Sequence, residues 1–124
     1  MPMNPYEKYK QQSIMTMTQG DMLVKLYEET VTQLSGAIIF IERKEISKAN
    51  DSLIKSQRIL NYLKATLDFK YEISNNLQLL YDFFIQKIIE ANVTKKAEPI
   101  EEVIPMIQEL KETFSQADRL ARIG

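Results

Sequence analysis

Apolar residues recur every three or four positions in four stretches of the chain, which is the period of one face of an α-helix. The chain has only 3 Gly and 4 Pro, and it has no dipeptide typical of a β-hairpin. This pattern therefore predicts amphipathic helices rather than strands. The predicted helices cover about residues 19–42, 46–69, 72–92 and 99–121.

Local signals mark where the first and last of these helices begin. Thr18 and Asp21 have the spacing of a capping box, in which side chains bind the free N–H groups of the first turn. Pro99 suits the start of the last helix, because no hydrogen bond is lost there. Pro105 leaves two alternatives open. The last helix either has a kink or a loose first turn, or becomes regular only at Ile104 or Pro105.

Four helices of this length joined by short connections must run alternately up and down. The sequence therefore predicts an all-α protein, an antiparallel up-down four-helix bundle formed by residues 18–124. Residues 1–17 are predicted to form a short N-terminal helical arm, in which Tyr6, Tyr9 and Ile14 keep helical spacing. A helix this short is marginal alone in water, so it would form only when docked on a surface.

The third predicted helix has more apolar residues than one packed face requires. Twelve of the 22 residues from Tyr71 to Asn92 are apolar or aromatic, and one stripe accounts for only part of them. Two interpretations are open. The surplus is either scattered surface hydrophobes or a homo-oligomer contact, or it is a groove that binds another helix. The surplus residues of the second and third helices are Ile54, Tyr62, Phe69, Leu79, Phe83, Ile85 and Ile89.

Composition argues against several other functions. The chain has no His and no Cys, so it lacks the ligands of a di-iron bundle centre and the usual nucleophile–base pairs. We therefore expect no enzyme activity, no metal and no cofactor. The net charge is −1 and the basic residues are dispersed, which disfavours nucleic-acid binding. The longest apolar run, Ala37–Ile41, is too short to span a bilayer, so we expect a cytoplasmic protein without membrane insertion.

An ordered set of short motifs resembles the flagellar secretion chaperone family FliS. The resemblance extends over essentially the whole chain. The chain departs from the family pattern at Gln19-Gly20, at Glu28-Glu29 and at Phe114. The matching motifs, in chain order, are Asn4-Pro5-Tyr6 with Tyr9, Ile14 with Thr16, Leu26-Tyr27, Leu53 to Leu60 leading to Leu67-Asp68, Ile73, Asn76-Leu77 with Leu80-Tyr81-Asp82-Phe83, Glu90-Ala91-Asn92, Glu101-Glu102-Val103, and Thr113-Phe114 with Ala117.

The resemblance implies a cytoplasmic export chaperone that is not an enzyme. It implies that the client is the disordered C-terminal segment of flagellin, which binds as helices in apolar grooves. The chaperone would prevent premature polymerisation of flagellin and deliver it to the flagellar type III export apparatus. The alternative is a structural, self-associating bundle without a client.

The same resemblance suggests partners and site residues. Further expected partners are export-gate or regulatory proteins, and the expected state is a monomer or a weak homo-oligomer. The expected client-binding residues are Ile54, Tyr62, Phe69, Phe83, Ile85 and Ile89, with Tyr27 at one edge of the groove. The expected residues of the N-terminal cap are Tyr6, Tyr9 and Ile14.

Overall fold

A computed structural model describes residues 19–123, and these residues form four α-helices joined by short connections. Each helix packs against two others, in the ring order α1, α2, α3, α4 and back to α1. The predicted all-α four-helix bundle is therefore confirmed. The predicted arm, residues 1–17, and the capping residue Thr18 lie outside the described residues. The helices are α1, Gln19–Glu42; α2, Ile46–Ala65; α3, Ile73–Thr94; and α4, Glu98–Ile123.

The apolar stripes of the four helices meet along the axis of the bundle and form one core. Burial of a large aliphatic or aromatic side chain stabilises a fold by about 1.5–3 kcal/mol relative to exposure, so this core is the main source of stability. Buried hydroxyls in the core bond within their own helices: Thr30 donates to the carbonyl of Leu26, and Ser56 to that of Ser52. The buried apolar residues are Tyr27, Leu34, Ala37, Ala49, Leu53, Leu60, Leu63, Leu77, Tyr81, Phe84, Ile88, Ala91, Ile100, Val103 and Ile107.

Polar pairs between neighbouring helices fix how α2 and α3 align. The side-chain amide of Asn92 donates to Oδ1 of Asn50 at 2.9 Å near one end of the bundle. The ammonium of Lys64 pairs with the carboxylate of Asp82 towards the other end. From the first pair to the second, the residue number rises along α2, from 50 to 64, and falls along α3, from 92 to 82, so the two helices are antiparallel.

Helix α2 ends at Ala65, four residues before the predicted end at Phe69. Thr66 closes the helix, because its hydroxyl and its N–H both bond to the carbonyl of Leu63. Beyond it, Oδ1 of Asp68 accepts the N–H of Lys70 in a tight turn. These local bonds compete with helix continuation, and they separate α2 from α3 by a folded connection.

The ends of α1 and α3 are closed by lysines with left-handed backbone conformations. Lys44 has a φ of 58° and Lys95 a φ of 54°, values that usually favour glycine. The N–H of Glu45 bonds to the carbonyl of Phe40, and that of Lys44 to Ile41, which is the Schellman pattern. These turns reverse the chain within a few residues and so keep the connections short.

Helix α4 continues without interruption past Pro105. It begins at Glu98, where the N–H groups of Ile100 and Glu101 bond to the carbonyl of Ala97. The alternative in which the regular helix begins only at residue 104 or 105 is therefore wrong. Pro105 lies on the exposed side of α4, so the carbonyl that loses its helical partner can be hydrated.

Candidate functional site

An apolar groove lies between the start of α1 and the end of α2. Tyr62 is 52% exposed and Met22 is 42% exposed on its two sides, although both side chains are large and apolar. The groove holds a cavity of about 170 Å³. Its lining residues are Met22, Leu23, Leu26, Tyr62, Leu63 and Thr66.

This cavity continues around the same end of the bundle into a second one of about 230 Å³. The two cavities share Leu23, Leu63 and Thr66, and we refer to them together as the end groove. The second cavity is also lined by Leu67, Asp68, Tyr71, Ile73, Ser74, Leu77, Tyr81 and Phe114. Because its floor is built from core residues and its rim from exposed apolar ones, the end groove can accept large apolar side chains from a partner.

A buried pair of tyrosines supports the floor of the end groove. The hydroxyls of Tyr27 and Tyr81 form a hydrogen bond of 2.6 Å, and the rings of Tyr27 and Phe114 lie 5.8 Å apart. Burial raises the pKa of both tyrosines above the usual value, and both hydroxyls are protonated at neutral pH. The pair links α1 to α3 and fixes the Tyr81 ring, which lines the groove.

Tyr27 has no exposed surface, so its predicted place at the edge of a groove is corrected. Its position on the inner face of α1 and its bond to Tyr81 make it a core residue. Tyr27 contacts Tyr81 and Phe114, which line the groove, so a substitution at Tyr27 would change the groove by moving these two side chains. Tyr27 therefore supports the groove from within the core and has no surface of its own in it.

Three of the predicted binding residues lie on another surface, along the outer side of the α2–α3 contact. The Asn50–Asn92 bond aligns the two helices so that Ile54 lies at the level of Ile89. Ile54 and Ile85 are half-buried, whereas Ile89 is 44% exposed. These residues form an apolar ridge, not part of the end groove.

Phe83 lies on the other side of α3, towards α4. Its ring packs edge-on against Phe84, and the ammonium of Lys87 lies 5.6 Å from the ring centre. Lys87 also pairs with Glu102 of α4 at 3.2 Å, and this bond raises the pKa of the lysine. Next to this pair is a third cavity, about 230 Å³ in volume, which we call the side groove. Its lining residues are Leu80, Phe84, Met106, Glu109, Leu110 and Thr113.

The predicted site residues thus separate into different surfaces. Tyr62 lines the end groove, and Phe69 lies 53% exposed in the α2–α3 connection at the same end of the bundle. Tyr6, Tyr9 and Ile14, the predicted cap, lie outside the described residues. Sequence reasoning missed Tyr71 as a groove residue, although aromatic residues in the short connection after a helix were an available signal.

The described residues carry no arrangement typical of a metal centre or a membrane anchor. Between residues 19 and 123, no three acidic side chains lie close enough to hold a metal ion. No helix in this range has the length and apolar content that a membrane crossing requires.

Comparison with known proteins identifies the family. Residues 2–121 match the family model described as "Flagellar protein FliS". The flagellar secretion chaperone FliS of Bacillus subtilis (strain 168) is 29% identical over 114 residues, which cover 92% of this chain and 86% of that protein. The FliS of Salmonella typhimurium is 30% identical over 107 residues, which cover 84% of this chain and 79% of that protein.

A solved structure shares the fold. The crystal structure of a flagellar chaperone from bacteria superposes with a TM-score of 0.78 at 22% identity, covering 92% of this chain and 94% of its own. The chain belongs to the FliS family of flagellar secretion chaperones. Its role is therefore that of a chaperone in flagellar export, and the family is not a class of enzymes.

Proposed function

We propose that this chaperone binds the C-terminal segment of flagellin in the cytoplasm, keeps it from polymerising and delivers it to the type III export apparatus. The observation that carries the proposal is the end groove, which has Tyr62 on its rim and apolar side chains along most of its lining, in a member of a flagellar chaperone family. Such a groove suits a client that supplies an apolar helix face. Catalysis, a metal or a cofactor has no part in this mechanism.

A disordered client needs a large binding surface. A disordered segment gives up conformational entropy when it folds on a partner, and the complex must bury about 1,000–3,000 Å² to compensate. The end groove alone is too short for such an area. We infer that the client continues along the ridge formed by Ile54, Ile85 and Ile89, which lies on the adjoining side of α2.

We further propose that the N-terminal residues cover the end groove when no client is bound. Helix α1 begins at Gln19, directly before the groove residues Met22 and Leu23, so the point to which the N-terminal residues are joined lies close to the groove. Tyr6, Tyr9 and Ile14 would supply the apolar side chains of this cap. A client that displaced them would gain the same contacts.

Titration with a synthetic flagellin C-terminal segment, followed by circular dichroism, tests the client directly. We expect the mixture to be more helical than the sum of its parts, because the segment folds on binding. No gain in helicity at saturating concentrations would contradict the proposal. Sedimentation of the free chaperone separates it from the self-association alternative, which predicts a stable dimer that does not bind the segment.

A pair of substitutions locates the binding surface. Tyr62→Asp places a charge on the rim of the end groove, and we expect affinity for the segment to fall about tenfold or more, as for an interface aromatic. Ile39→Asp is the matched control, because Ile39 is 45% exposed on α1 near the opposite end of the bundle. Equal losses in the two variants would show that the end groove is not the site.

Deletion of residues 1–17 tests the cap. We expect the truncated chain to keep the helical circular dichroism signal, to bind more of a dye that reports apolar surface, and to associate faster with the flagellin segment. The last effect follows because the cap and the client compete for one surface. Unfolding of the truncated chain, or an unchanged association rate, would contradict the cap.

A further inference from the structure

The side groove lies where the bundle is packed least closely, between α3 and α4. Its floor consists of Leu80 and Phe84 from α3 and Met106 and Leu110 from α4. The Lys87–Glu102 pair bridges the two helices just beyond Met106 and closes the groove at that end. From this pair to Thr113 the groove extends along about three turns of α4, or roughly 16 Å.

One edge of the side groove is acidic. Along the groove, from Glu102 to Thr113, α4 contains three glutamates and one basic residue, Lys111. Glu109 lines the groove, and no cation among the side chains that the structure describes pairs with its carboxylate. The Glu109 carboxylate is free to bind a charge from outside.

Lys87, the lysine that bridges α3 and α4 at the end of the groove, does not neutralise Glu109. The ammonium of Lys87 is bound to Glu102 at 3.2 Å and lies 3.8 Å from Glu90. Its positive charge is therefore already matched by carboxylates on both helices. The groove therefore has an apolar floor and the Glu109 carboxylate on its rim.

We infer that the side groove binds an amphipathic helix with leucine- or methionine-sized side chains on one face and lysine or arginine beside that face. The apolar side chains would contact Leu80, Met106 and Leu110, and the cation would pair with Glu109. Three turns of groove suit a helix of about 11 residues or more. This inference goes beyond the proposed function, because the side groove is separate from the end groove and its occupant need not be flagellin.

Two designed helical peptides with the same leucine face test the charge requirement. One carries lysine beside that face and the other carries glutamate at the same positions, and each bears a fluorophore for anisotropy measurements on the full chain at low salt. We expect the lysine peptide to bind about threefold tighter or more, as favourable pairs at a partly exposed rim produce. Raised salt should reduce the difference.

Charge reversal of the rim provides the decisive comparison. Glu109→Lys should reverse the preference, so that the glutamate peptide binds more tightly. Glu28→Lys is the matched control, since it changes net charge equally on an exposed site of α1, across the ring from α3. A preference that Glu28→Lys shifts as strongly as Glu109→Lys would overturn the inference, because long-range attraction would then explain it.

Amide chemical shifts of the isotope-labelled full chain show where the lysine peptide binds. We expect the largest changes at Met106, Glu109 and Thr113. Largest changes at Met22 and Tyr62 would overturn the inference in favour of the end groove, and so would the absence of binding by either peptide. Binding of the flagellin segment to the end groove is measured separately, with Tyr62→Asp, so either proposal can fail without the other.

Discussion

The hydroxyls of Tyr27 and Tyr81 meet at 2.6 Å inside the core, so each depends on the other for a hydrogen bond. Replacement of either by phenylalanine leaves the remaining hydroxyl buried without its partner. Each single variant should lose about 1–3 kcal/mol of unfolding free energy. The double variant should lose less than the sum of the two, because no polar group is left unpaired. Urea unfolding of the four proteins measures this, and additive losses would contradict the account.

The same pair predicts weaker stability at alkaline pH. An unfolded tyrosine ionises near pH 10, whereas burial raises the pKa of Tyr27 and Tyr81 in the folded protein. The unfolded state therefore releases protons first as pH rises. Their stabilising contribution is intact below about pH 10. Above it, each tyrosine lowers the unfolding free energy by at most about 1.4 kcal/mol per pH unit, until the pH reaches its pKa in the folded protein.

Comparison with the Tyr27→Phe/Tyr81→Phe double variant isolates this effect from the titration of the lysines. Urea unfolding at pH 9 and pH 11 should show a larger decrease for the natural sequence than for the double variant. Equal decreases would mean that neither buried hydroxyl resists ionisation in the folded state.

Periodicity predicted much of the core, but not the surroundings of single side chains. Tyr27 falls on the inward stripe of α1, and the structure buries it there. Its assignment to a groove edge came from resemblance and is corrected by this burial. Ile73 also belongs to an apolar stripe, yet it is 54% exposed, because it is the first residue of α3 and has no preceding turn to cover it.

The two left-handed lysines give a prediction about the ends of helices. Lys44→Gly should raise the unfolding free energy by about 1 kcal/mol, because it removes backbone strain. Lys95→Gly should gain less. The ammonium of Lys95 bonds to the carbonyl and side-chain oxygens of Asn92, which also bonds to Asn50 of α2.

Thermal or urea unfolding of the two variants checks this difference. Since the backbone conformations of Lys44 and Lys95 are nearly the same, each variant is a control for the other. Destabilisation by Lys44→Gly, or equal gains in both variants, would contradict the strain argument.

Helix interiors were more predictable than helix ends. No Gly or Pro lies between Ala65 and Ile73, so the pattern gave no signal that α2 stops before Phe69. The end is made by Thr66 and Asp68, whose side chains bond to nearby backbone. Such bonds depend on the rotamer that each side chain adopts, and an apolar period carries no information about rotamers.

At the scale of the molecule, the surplus of apolar residues was predictable, but its division among surfaces was not. Periodicity places Tyr62 and Ile54 away from the core stripe of α2 without saying which neighbour each approaches. The ring order of the helices decides this, since Tyr62 lies towards α1 and Ile54 towards α3. The end groove therefore emerged only from the packed structure.

The central claim is that the exposed apolar surface of this bundle binds the flagellin C-terminal segment as helices. Calorimetric titration of the full chain with that segment at several temperatures tests it most directly. Burial of about 2,000 Å² of largely apolar surface predicts a negative heat-capacity change on the order of 0.3 kcal/mol/K. Binding with no measurable heat-capacity change, or no binding at all, would contradict the account.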